Sequence, residues 1–96
     1  MSSYPSVVQL AATNLAKELN IAPDQVEIRS ATQTEWSDSS LGCPEPGRMY
    51  TQALVRGYLF RIDAGGTMLE YHAGGSGRWL YCPAERAIAP VPDASK

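Results

Sequence analysis

Ninety-six residues, 44% hydrophobic and 19% charged, set the scale of one globular domain and exclude a disordered chain. The net charge is −2, and the eight basic residues are scattered from Lys17 to Lys96, so no sequence cluster exists to hold a nucleic-acid phosphate backbone. The longest apolar run is far short of a membrane span, and "MSSYPSVVQL" has neither the charged n-region nor the apolar h-region of a secretory leader.

Pro5 suits the first position of a helix, where its missing N–H has no partner to lose. Val8, Ala12, Leu15 and Leu19, with Ala11 beside them, recur at helical spacing, while Gln9, Thr13, Lys17 and Asn20 lie on the other side. This predicts an amphipathic helix of about four turns. Asn20 is its expected stop, since asparagine tolerates the left-handed conformation.

The period then changes. Val26, Ile28, Ser30, Thr32, Thr34 and Trp36 alternate with Glu27, Arg29, Gln33 and Glu35, which predicts a long strand with one buried face. "SDSSLGCPEPG" breaks it. "MYTQALV" and "YLFRID" read as two strands joined by a hairpin at Arg56-Gly57. "DAGGT" is a further turn, followed by the strand "MLEYH", the turn "AGGSG" and the strand "RWLYC". The expected architecture is α+β: one N-terminal amphipathic helix on a four- to five-stranded antiparallel sheet. Residues 1–82 form the domain, and 83–96 form a proline-rich tail in which Ile88 and Val91 are the residues able to dock.

Few residues carry chemistry. His72 is the single histidine, and alternation puts Glu70 on its strand face with Tyr71 pointing away. The pair suits general acid–base work beside Tyr50, although a strand-end histidine on a solvated face is the commoner case. Cys43, Cys82 and His72 follow no zinc spacing, so no metal is expected, and no nucleotide or other cofactor motif appears. Tyr58 with Phe60, and Trp79 with Tyr81, read as core packing rather than a base-stacking surface, and no nucleic-acid partner is expected. Cys43 and Cys82 read as disulfide partners, closing a loop of about forty residues worth roughly 3–4 kcal/mol. The location follows the thiols: extracytoplasmic if they are bridged, cytoplasmic if the absent leader is native.

The densest stretch is "SLGCPEPGRMYTQ", residues 40–52. Pro44 and Pro46 fix φ, Gly42 and Gly47 permit turns, and Asp38 and Ser40 offer side-chain caps to loop N–H groups. Together with the preceding "WSDS", this stretch resembles a small uncharacterised bacterial domain family with the pattern W-x-D-x-S-L-G-C-P-x-P-G-x-x-Y-T-Q, then G-Y, Y-H and a final Cys. The resemblance runs from about Ala22 to Cys82 and takes in Trp36, Asp38, Leu41, Gly42, Cys43, Pro44, Pro46, Gly47, Tyr50, Gln52, Gly57, Tyr58, Tyr71, His72 and Cys82. It implies no activity. Members often look exported or lipid-anchored, which favours the disulfide.

The expected function is non-enzymatic: a protein-binding module whose rigid loop 37–50 presents Glu45, Arg48, Met49 and Tyr50 to a protein or peptide. One alternative is a substrate-like protease inhibitor presenting Arg48 or Met49. Another is a small enzyme using His72 and Glu70. A loop that only braces the fold is the remaining possibility.

Overall fold

The computed structural model describes residues 4–74 and 77–90. Helix α1 (Ser6–Leu19) leads through a single 3-10 turn (Pro23–Gln25) into four strands: β1 (Val26–Trp36), β2 (Val55–Ala64), β3 (Thr67–Gly74) and β4 (Trp79–Tyr81). The sheet is antiparallel in the order β1-β2-β3-β4, so each strand lies beside its neighbour in sequence.

Pro5 stands one residue before the helix, at the N-cap, and its carbonyl accepts from the N–H groups of Val8 and Gln9. Asn20 ends the helix at φ 56°, ψ 46°, the left-handed stop that the sequence signals. Asn20 N–H donates to Lys17 O and Ile21 N–H to Ala16 O, the paired bonds of a Schellman ending. The buried stripe is Val7, Val8, Ala11, Leu15 and Ala16, one step round from the expected one, and Leu19 is exposed. Val7, Val8, Ala11 and Leu15 of this stripe pack with Phe60, Ile62, Ala64, Tyr71 and Ala73 to form the main core.

Two expectations need correction. Arg56-Gly57 is not a hairpin but lies inside β2, paired to Glu35 and Thr34 on one side, with Gly57 facing Gly74 on the other. The sheet therefore has four strands, and most of "MYTQALV" belongs to the preceding loop. The glycine is there for β3. A Cβ on Gly57 would collide with the carbonyl of Ala73, which occupies that space.

The second correction concerns β1. Its alternation does not run on one face from Val26 to Trp36. The register shifts between Ile28, opposite Ile62, and Ser30, opposite Arg61, leaving Arg29 as the extra residue of a bulge. Before the bulge Val26 and Ile28 face the helix. Beyond it Ala31 does, opposite Phe60, while Trp36 faces the other side. A slip of one residue moves every later side chain across the sheet. The consequence is a second covered face, and the loop between β1 and β2 lies on it.

Candidate binding loop on the second face of the sheet

Trp36, at the end of β1, is fully buried and reaches across to β3. Its Nε1–H donates to Ala73 O at 3.0 Å, the carbonyl given room by Gly57. Its ring stacks on the imidazole of His72, with centroids 4.4 Å apart and planes 20° apart. Leu41 and Gly42 of the loop meet these two rings, and Cys43 follows them.

Leu41 is buried close to Gly74 and Val55. Gly42 lies against the six-membered edge of Trp36, where a Cβ would stand 2.5 Å from the ring and 2.7 Å from Ile88 O. Cys43 meets Cys82 at the end of β4 at disulfide distance, with Cα atoms 5.7 Å apart and a sequence separation of 39. Ser40 O accepts from Cys43 N–H, and the two residues between, Leu41 at φ 57° and Gly42 at φ 71°, both have the positive φ of a type I′ turn. Leucine in that region costs on the order of 1–2 kcal/mol, offset by its burial and by its carbonyl.

That carbonyl accepts from His72 Nδ1 at 2.6 Å, while Nε2 lies 2.6 Å from Glu70 Oε2. A carbonyl only accepts, so Nδ1 carries a proton and donates to it. Glu70 Oε1 in turn takes Arg61 Nη2 at 3.1 Å. The expected solvated strand-end histidine is therefore corrected: His72 is fully buried and both ring nitrogens are engaged. Glu70 and His72 do share a face, as alternation requires, and Tyr71 does point into the helix-side core. In this geometry the pair holds the Leu41 carbonyl. Tyr50 contacts Glu45 rather than either of them.

The rest of the loop is braced from within. Asp38 Oδ1 accepts from Ser40 N–H and Ser40 Oγ, as expected for a capping aspartate. The second cap comes from Ser39, not Ser40: Thr51 N–H donates to Ser39 Oγ, and Ser39 N–H to Thr51 O. Arg48 N–H donates to Glu45 O across Pro46 and Gly47, the latter at φ 80°, which is a type II turn with proline and glycine at their favoured places. Glu45 N–H donates to Tyr50 Oη at 3.0 Å. From the C-terminal side, Ile88 N–H donates to Gly42 O at 2.8 Å and Arg86 reaches Glu45. The Ile88 contact is made by its backbone, while its side chain, expected to dock, is 53% exposed; Val91, the other residue expected to dock, lies outside the described residues.

Glu45, Arg48 and Met49 are exposed and Tyr50 is half-buried, so the predicted residues do lie together at the loop's outer end. Met49 is 96% exposed. Arg48 turns back toward Glu45 at 3.4 Å, with its guanidinium carbon 6.0 Å from the Tyr50 ring centre. Sequence reasoning missed Arg78 and Arg86, which line a recess with Arg48, Glu45 and Tyr50. Their wide spacing along the chain gave no sign that the fold brings them together.

The chain belongs to a family described as a domain of unknown function (DUF8738), whose model matches residues 8–82. That span takes in the helix from its third residue, the loop and all four strands. No curated protein and no solved structure matches the chain. Among the described residues, no helix is long and apolar enough to cross a membrane.

Proposed function

We propose that the protein is a small binding module that uses the loop 37–50 to capture a protein or peptide partner. One observation carries this: a loop braced at both ends and through its middle projects Met49 with 96% of its surface open to solvent. Bracing lowers the conformational entropy lost on binding, and an unbranched methionine adapts to an apolar pocket. The braces are backbone bonds, the Asp38, Ser39 and Tyr50 side chains, buried rings and the cysteine pair, so Met49 is spared from holding the fold.

The test replaces Arg48 and Met49 together by alanine and compares capture of partners from an extract of the source cells. The proposal expects capture to be lost while the thermal midpoint stays within about 2 °C of the parent, as for surface changes of under 0.5 kcal/mol. Undiminished capture by the double variant contradicts it.

A narrower form of the same reading is protease inhibition. Its support is again the tip: Met49 is the freer of the two candidate residues, because Arg48 is drawn back to Glu45. A panel of serine proteases then shows inhibition of enzymes that accept methionine rather than of those that demand arginine. Rapid cleavage of the folded chain after Met49 contradicts this form.

A further inference from the structure

Arg48 from the loop, Arg78 from just before β4 and Arg86 from the C-terminal segment converge on one recess. They are three of the chain's eight basic residues, and among the described residues Glu45 is the one carboxylate that lines the recess with them. The recess thus carries a formal +2, from three arginines less one glutamate, on a chain whose net charge is −2. Glu45 already shows how a carboxylate fits there. Its Oε1 lies 3.4 Å from Arg48 and its Oε2 3.6 Å from Arg86, long contacts that leave further N–H groups on both guanidiniums unused. Arg78 has no carboxylate partner among the described residues. Tyr50 Oη accepts from Glu45 N–H, so its own proton remains to be donated.

The wall opposite the loop is β4, an edge strand. The bonds Cys82 N–H to Glu70 O and Gly74 N–H to Arg78 O fix which of its backbone groups face β3. By the alternation of an antiparallel ladder, the N–H and C=O groups of Trp79 and Tyr81 point to the open edge. A row of backbone groups without a partner among the described residues, beside a cationic recess, suits an extended chain bearing carboxylates better than a small free anion.

We propose that this recess is the part of the binding surface that recognises acidic side chains, and that the partner is a peptide or protein segment rich in aspartate or glutamate lying along β4. This rests on the binding-loop reading and names the chemistry of the partner. Arginine suits the role because its planar fork pairs with carboxylates through two bonds.

The test is a fluorescence anisotropy titration with a labelled oligoglutamate peptide, beside an oligoglutamine peptide of equal length. Oligoglutamate binds and oligoglutamine does not. Arg78→Gln and Arg86→Gln each weaken binding about tenfold, the scale of one lost charge-assisted contact. Arg56→Gln, the same change of charge on the exposed flank of β2, leaves it within about twofold, since separated surface charges are largely screened. Arg78→Gln breaks no ion pair among the described residues, so it serves even if Arg86→Gln disturbs the fold. Equal binding of the two peptides, or equal loss in the Arg56 and Arg78 variants, overturns the proposal. Displacement of the peptide by inorganic phosphate at equal concentration overturns the peptide assignment. The two proposals fail separately: capture lost in the Arg48 and Met49 double variant but untouched by Arg78→Gln removes the acidic subsite and leaves the binding loop. Oligoglutamate binding without any loop-dependent capture does the reverse.

Discussion

Gly57 and Gly42 do with an absent side chain what no other residue in their places can. Gly57 admits the Ala73 carbonyl that receives the Trp36 indole, and Gly42 lets the loop lie flat against that indole at positive φ. Gly57→Ala forces backbone against backbone in the middle of the sheet and should cost more than 2 kcal/mol in a urea unfolding curve, beyond the ordinary range of a surface change. A variant of unchanged midpoint would show that β2 and β3 move apart freely there. Leu41→Ala removes a buried side chain and should cost about 2–5 kcal/mol. His72→Ala leaves Leu41 O without its donor and Glu70 without its ring partner, and should cost about 2–4 kcal/mol in the same experiment. At this scale the sequence was partly legible. Trp36 and Leu41 announce themselves as buried by size and by the turn residues around them. His72 does not, because a lone histidine on an alternating strand looks the same whether its nitrogens meet water or a carbonyl 31 residues away.

The helix and its stop were legible as an element, since Asn20 marks an ending that local chemistry alone decides. The bulge at Arg29 was not, because no proline or glycine marks it and only the partner strand reveals the extra residue. Arg29 instead lies beside Asp63 at 3.0 Å, across the start of the β2–β3 turn. Asp63 also accepts Gly66 N–H at 2.8 Å, and Arg29 foremost, then this N–H, hold its carboxyl below the usual aspartate range. A depressed folded value means that the ionised form stabilises the fold above the unfolded value of about 3.9 and that this gain is lost as pH falls through the folded value. Asp63→Asn should therefore lower the thermal midpoint at neutral pH, and the difference from the parent should close in acid below that range. A difference that persists unchanged at low pH would contradict the assignment. At the alkaline end Tyr71 acts in the opposite sense. Burial first, then Glu18 and Tyr81, push its phenol up, so its contribution holds below about pH 10 and fades above it.

For the whole molecule, the sheet is covered twice: α1 lies on one face, and the loop with the Pro83–Pro90 segment on the other. The cysteine pair ties the second cover to the sheet. Under the chain-entropy model a bridge closing 39 positions contributes about 4 kcal/mol, enough to decide whether so small a domain stays folded at physiological temperature. Intact mass after alkylation in denaturant, with and without prior reduction, should show both thiols protected until reduced. Cys82→Ser should lower the thermal midpoint by well over 10 °C, at about 4–8 °C per kcal/mol for a chain of this size. Free thiols in the native chain would leave the loop to its hydrogen bonds and to Trp36. The fold class was readable from the order of apolar patterns. The recess was not, because Arg48, Arg78 and Arg86 become neighbours only when the last strand and the tail return to the loop.

Central to the proposed function is contact between the braced loop tip and the partner. It is tested most directly by placing a diazirine-bearing residue at Met49 and, in a second protein, at Thr13 on the exposed side of α1, then irradiating each in an extract of the source cells. The account predicts a discrete crosslinked species from position 49 and none from position 13. Crosslinking from the helix alone, or none from the loop, would contradict it.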